Sequence, residues 1–314
     1  MLKKMSIRKI MVTSLSLFAL LLLYLMPENN KLDYKIKTEP VEYIYTNTTE
    51  TVYLLDPNDY VARTTIKGCD CDVLETIKDT TEGLITDGKK SNIIPNGFRT
   101  LIPSGTEVLD LKLNEKTLTI NFSKELLNIN EKYEEKMIES IVFTLTSIEG
   151  IEKIIIEVEG ELLKKLPNSG KQLPDILDKN YGINKKYSLV STNDINSYTV
   201  YYVSKNNDES YYVPITKYVN AKDEDKIKVI IEELTTSPIY ETNLMSFLNN
   251  NVALIDYNLE NDKLSLNFND YIFNNDTNNI LEEVIYTISL SIEDNYNVKD
   301  IAFLVNNEEI YKNY

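Results

Sequence analysis

The chain has 314 residues, 42% hydrophobic and 26% charged, enough apolar content to fill about two cores of ordinary domain size. A net charge of −16 excludes a nucleic-acid binder, because neutralising phosphates needs basic patches that no stretch supplies. With no histidine in the sequence, Ser-His-Asp and Cys-His catalysis are excluded, as is any histidine-ligated zinc site.

Residues 1–9 form a basic tail carrying Lys3, Lys4, Arg8 and Lys9, followed by an apolar stretch from Ile10 to Met26. A helix over residues 10–26 reaches about 25 Å, near the lower limit for a bilayer span. Basic residues before it and Glu28 after it predict a single-pass anchor, with the amino terminus cytoplasmic and the remaining chain outside the cell membrane. Leu25-Met26-Pro27-Glu28 lacks a small-x-small cleavage pattern, which favours an uncleaved anchor over a signal peptide. No cysteine follows to accept a lipid. The polar residues 27–50 read as a stalk.

Beyond the stalk the sequence repeats itself. Thr51-Val52-Tyr53 returns as Thr199-Val200-Tyr201, 148 residues on; Leu118 to Phe122 returns as Leu264 to Phe268, at 146. Phe143-Thr144-Leu145 returns as Tyr286-Thr287-Ile288, at 143, and Ile154 to Val158 as Ile301 to Val305, at 147. Order and spacing are kept together, so residues 51–163 and 199–314 are expected to be two copies of one folding unit joined by a linker over 164–198.

Within each copy the periods are legible. Val52 to Leu55 and Tyr60 to Thr65 predict a strand pair, echoed by Val200 to Val203 and Tyr211 to Val219. A helix is expected from about Asp72 with Val73, Leu74 and Ile77 inward, and its counterpart after Asp223-Glu224-Asp225 with Ile227, Ile230, Ile231 and Leu234 on one face. Leu109, Leu111, Leu113 and Leu118, Ile120, Phe122 alternate with polar residues as a half-buried hairpin; Ile255, Tyr257, Leu259 and Leu264, Leu266, Phe268 do the same. A second helix carries Met137, Ile138, Ile141, Val142 and Leu145, matched by Ile280, Leu281, Val284, Ile285 and Ile288, and a closing strand follows. The expected fold is an α+β sandwich, ββαββαβ twice, with helices on one sheet face and the other face open. In the linker, Pro167, Gly170, Pro174 and Gly182 break any long period, leaving one short helix over Leu173 to Leu177.

Tyr211 to Val219, the helix end Leu234-Thr235-Thr236-Ser237-Pro238, the turn Leu101-Ile102-Pro103-Ser104-Gly105-Thr106 and the hairpin-then-helix sequel resemble the GerM family, the sporulation and germination domain of endospore-forming bacteria. The resemblance covers residues 51–163 and 199–312 and implies ring-building-motif-like domains that are not catalysts. The second copy departs from it at Asn249-Asn250-Asn251-Val252, where the first has its proline-glycine turn.

A search for chemistry leaves little. Cys69-Asp70-Cys71-Asp72 is the one soft-ligand cluster, but two cysteines fall short of a structural zinc set, and its aspartates suit a helix start. Gly83 to Ser91 resembles a phosphate loop, yet Lys90 stands where Ser or Thr must follow the lysine. Glu131, Glu134, Glu135 and Glu139 are expected on a solvated helix face. No catalytic, cofactor or metal residue is therefore expected. The 22 tyrosines supply the candidate interface: with adjacent side chains on opposite strand faces, Tyr202 and Tyr212 are expected to point outward toward a protein partner. The reading is a non-enzymatic, membrane-anchored assembly protein contacting other envelope or sporulation-complex proteins, or a second copy of itself, with no cofactor. A cell-wall glycan or small-ligand binding module is the alternative, and a carboxylate-dependent hydrolase the second.

Overall fold

The computed structural model describes residues 48–207, 209–220, 225–236, 243–273, 279–296 and 298–313, all within one compact unit, Asn47–Tyr314. The Ile10 to Met26 stretch and all but the last residues of the stalk lie outside them; among the described residues no helix is long and apolar enough to cross a membrane.

The first repeat runs β1 (Thr49–Leu55), β2 (Val61–Lys67), α1 (Val73–Glu82), β3 (Val108–Asn114), β4 (Thr117–Phe122), α2 (Glu134–Leu145), β5 (Lys153–Val158) and β6 (Glu161–Leu162). After β7 (Lys186–Ser188), the second repeat runs β8 (Ile195–Asn206), β9 (Glu209–Asn220), α3 (Lys226–Thr235), β10 (Leu254–Glu260), β11 (Lys263–Phe268), α4 (Glu282–Asn295), β12 (Asp300–Val305) and β13 (Glu308–Asn313). The mixed α/β class is as expected. The sheet arrangement is not.

Each repeat divides its strands between two sheets. β3-β4-β5-β6 and β10-β11-β12-β13 are separate four-stranded sheets, each with one parallel pair, β4 with β5 and β11 with β12, bridged by α2 or α4. The opening hairpins β1-β2 and β8-β9 instead join one another in a central sheet, where β2 meets β9 antiparallel at Arg63 and Tyr212. Its faces are both covered: Val52, Tyr53, Leu54 and Leu55 are all buried, as are Val200, Tyr201, Tyr202 and Val203. Consecutive apolar residues, rather than alternating ones, are what a strand buried on two sides requires, so the expected open face fails for this central sheet, while β4 and β5 alternate buried with partly exposed residues.

The helices cover the outer edges of this sheet. Ser140 and Thr144 of α2 hydrogen-bond the carbonyl and N–H of Tyr53 at 2.5 and 2.9 Å, while Ser291 of α4 accepts from the N–H of Tyr201 at 2.9 Å. Side-chain hydroxyls thus satisfy edge-strand groups that would otherwise template another strand. Thr144 and Ser291 do the same task 147 residues apart, so the helices correspond at that offset. Met137, Ile138, Ile141 and Leu145 match the buried Val284, Ile285, Ile288 and Ile292, and Ile280 and Leu281 precede α4. The expected pairing was one turn out, because an i, i+4 pattern is unchanged by sliding four residues. In α1 only Ile77 of the three expected inward residues is buried, Val73 and Leu74 being exposed, whereas all four in α3 are buried. Asp72 and Asp225 accept the first free N–H groups of their helices, as capping predicts.

The linker is part of the core. Leu166, Leu173, Leu177 and Ile183 are buried in the first apolar cluster, and Leu177 bridges Ile154 in extended conformation where a short helix was expected. The replaced turn survives with other chemistry: Thr106 closes on Pro103 through Gly105 at φ +81°, and Val252 closes on Asn249 with the Asn249 side chain accepting from Asn251.

Candidate functional site

The junction of the two repeats gathers a connected set of buried polar groups. Tyr53 and Tyr201 meet hydroxyl to hydroxyl at 2.7 Å; Tyr201 then donates to Asp294 at 2.5 Å, and Lys179 of the linker pairs with the same carboxylate at 2.5 Å. Burial, and then the Asp294 charge, push both phenols above their ordinary value, so both stay protonated donors. Tyr211 donates across the junction to the buried Asp56 at 2.8 Å.

Asn184 holds the seam between β2 and β9. Its amide accepts from the N–H of Val61 at 2.9 Å and donates to the carbonyls of Val61 and Pro214, each at 2.8 Å. Pro214 has no N–H to offer β2, so the strand pairing that starts at Arg63 and Tyr212 is continued by a side chain. The Asn184 backbone takes φ +47°, which asparagine tolerates, and its N–H donates to Glu139 at 3.0 Å.

Glu134 and Glu139, expected on a solvated face, are buried. Glu134 accepts from the N–H groups of Asn168 and Ser169, both at 2.9 Å, tying the start of the linker to α2. Glu139 lies 3.5 Å from the Lys185 ammonium, and burial, opposed by that charge, lifts its pKa to about 7. Burial acts on neighbouring Glu135 as well, but hydrogen bonds from Lys171 and Lys185 outweigh it and hold that carboxyl below its ordinary value. The acids are clamps for residues 168–185, which their i, i+4 spacing alone does not reveal.

Tyr202 is 1% exposed inside the second apolar cluster, donating to Glu233 at 3.0 Å. Tyr212 is half-buried against Tyr286, ring centroids 5.5 Å apart. The expected division of each tyrosine pair into inward and outward members fails for Tyr201 and Tyr202, since both faces of β8 are covered. Cys69 and Cys71 are joined as a disulfide. Ligand atoms of Glu50, Cys69 and Asp79 lie within 4.8 Å of one another, but Lys90 is ion-paired with Asp79 and stands 3.8 Å from Glu50, so an ammonium already serves those acids.

Outward-facing apolar groups lie elsewhere. On β10, which among the described residues pairs only with β11, Ile255, Tyr257 and Leu259 are 54, 36 and 48% exposed. At the corresponding places in β3, Leu109 is exposed while Leu111 and Leu113 pack against the first core. The sequence signal was present, as one apolar row per hairpin, but it does not say which rows the helices leave uncovered.

The family model described as Germane: Sporulation and spore germination matches residues 51–164 and 199–311. The spore germination protein GerM of Bacillus subtilis is 33% identical over 263 residues, 81% of this chain and 70% of that protein. The solved tandem GerMN domains of GerM from Bacillus subtilis match with a TM-score of 0.76 at 30% identity, covering 84% of this chain and 92% of that one. Two matched regions, a relative alike over most of its length and a shared tandem architecture agree: the chain belongs to the Germane family of sporulation and spore germination proteins.

Proposed function

We propose that this protein is a non-catalytic scaffold, anchored by Ile10 to Met26 with its two repeats outside the cytoplasm, that works by protein contacts in an envelope complex during sporulation or germination. The observation that carries the reading is the outer edge of β10, which among the described residues has no strand beside it and adjoins the exposed Ile255, Tyr257 and Leu259. An extended segment of a partner can add to such an edge, main-chain bonds giving affinity and alternate side chains giving specificity. The net charge of −16 favours a partner with basic flanks. The junction acids support the same reading: Glu134, Glu135 and Glu139 each hold a linker group, which is a positioning task. Tethering raises the local concentration of the repeats toward neighbours on the same membrane.

The test is capture of the tagged full-length chain from membranes of vegetative and sporulating cells. A partner set specific to sporulating cells, lost when Ile255 and Leu259 are both replaced by Asp, is expected. An identical set in both states, or one indifferent to the double replacement, overturns the reading.

A further inference from the structure

The first repeat holds a cleft of about 590 Å³ that does not depend on the scaffold reading. Ile94, Pro95 and Leu101 give it an apolar wall, Ser104 a hydroxyl, and Arg99 and Tyr133 a charged and an aromatic end. The size suits a small ligand, and mixed lining of this kind is what such sites use.

The Arg99 end carries a cluster of charges. Arg99 donates to Asp59 at 2.8 Å, Lys132 donates to the other oxygen of that carboxylate at 2.7 Å, and the Lys136 ammonium bonds the Asp59 carbonyl. Arg99 and Lys132 share the Asp59 carboxylate beside the cleft, and Asp87 is the acid in the cleft's own lining. The Arg99 guanidinium lies 5.9 Å from the Tyr133 ring centroid, with its side chain 53% exposed. Asp59 engages one of its nitrogens, leaving further donors of the fork for a second acceptor. In a protein of net charge −16, Arg99 is the basic side chain in the lining of this cleft.

The second repeat serves as an internal control. The bridge of Leu55 to Arg99 recurs as Val203 to Met245. Tyr133 corresponds to Ile280 at the same 147-residue spacing as Thr144 and Ser291. The fold is thus built at these two positions with Met and Ile, so the Arg-Tyr pair of the first copy is not required for folding.

We propose that this cleft binds a short aliphatic peptide by its terminal carboxylate, the carboxylate on the Arg99 guanidinium and the adjacent side chain against Tyr133 and Pro95. A planar two-oxygen anion matches the guanidinium fork, and the apolar wall favours small aliphatic side chains. Either a wall stem peptide or the carboxyl terminus of a protein presents that chemistry.

The test titrates the purified full-length chain with N-acetyl-alanyl-alanine, as its D,D and L,L forms and as the carboxy-amide of each, by calorimetry. Saturable binding of an acid form is expected, with the amide weaker by about tenfold or more, the loss typical of a charge-assisted hydrogen bond. Arg99→Met and Tyr133→Ile, the residues the second repeat already carries, are each expected to weaken binding by a similar factor without changing the melting temperature. Tyr133→Ile carries the test if Arg99→Met folds poorly. Preference for the D,D form identifies a wall peptide, and preference for L,L a protein terminus. Absence of saturable binding up to about 10 mM, a range that includes weak small-ligand sites, overturns the proposal. Equal affinity for acid and amide, or affinity unchanged in both variants, does so too.

Discussion

Tyr53 and Tyr201 hold the same position in the two repeats and touch each other, hydroxyl to hydroxyl, at 2.7 Å. Equivalent residues that meet across an antiparallel seam lie on a twofold axis, so this chain packs its halves as an isologous dimer does, with both copies on one polypeptide. The register agrees: Arg63 lies opposite Tyr212, which places Ala62 opposite its own counterpart Val213. Because Tyr201 donates to Asp294, Tyr53 must donate to Tyr201. Tyr201→Phe strands a buried donor and removes a partner of Asp294, whereas Tyr53→Phe removes only a donor. The expected losses are about 3 and about 1 kcal/mol in urea unfolding, and the double variant should lose less than their sum.

Asn184 tests whether the seam between the repeats relies on a side chain. Asn184→Ala leaves the N–H and carbonyl of Val61 and the carbonyl of Pro214 without this partner, a loss of about 3 kcal/mol at the usual cost of unmet buried groups. Asn184→Gly relieves the positive φ but restores none of the three bonds, so it should recover less than about 1 kcal/mol relative to Ala. Full recovery in the glycine variant would show that backbone conformation, and not the bridge, is what matters there.

Glu139 makes the junction sensitive to pH. Its folded pKa, about 7, lies above the ordinary 4.5, so its contribution is fully present below about pH 4.5 and is lost as pH rises through 7. At 1.36 kcal/mol per pKa unit the swing is about 3 kcal/mol. Lys185, Glu135, Lys136 and the Asn184 N–H are the groups that surround it. Glu139→Gln keeps an acceptor for Asn184 and cannot ionise, so its stability relative to the unaltered protein should rise between pH 5 and 8. Parallel pH profiles for the two proteins would place the Glu139 pKa near that of an ordinary carboxyl.

What the sequence made legible was whatever depends on local period. Leu118, Ile120 and Phe122, or Ile227, Ile230, Ile231 and Leu234, name their buried face by spacing alone. What it hid depends on partners far along the chain. The likeness of Tyr53 to Tyr201 marks a duplication, but the same likeness would hold for two beads on a string. Residues 164–198 carry breakers and so read as a connection, although Asn184, Lys179 and Lys185 are where the repeats are fastened together. Tyr202 was misplaced because alternation assigns faces correctly only when one face meets water. Valine and tyrosine in succession, as in Val200-Tyr201-Tyr202-Val203, were the available warning that neither does.

That error also decides which variant can test a contact role. Tyr202 is fully enclosed and bonded to Glu233, so Tyr202→Ser empties a ring-sized space and should cost about 3 to 5 kcal/mol. Any loss of partner binding in that variant would report unfolding. Ile255 is more than half exposed on β10, an edge strand among the described residues, where a substitution away from buried features changes stability by only about 0.5 kcal/mol. Ile255→Asp should therefore melt within a few degrees of the unaltered protein, the shift such a change produces at this size, while placing a charge where an added strand would lie. The pair is expected to separate cleanly: Tyr202→Ser loses its cooperative transition before it loses partners, and Ile255→Asp loses partners at an unchanged transition. If Ile255→Asp retains every captured partner, the β10 edge is a solvent-facing margin and contacts must be sought on the α-helical side.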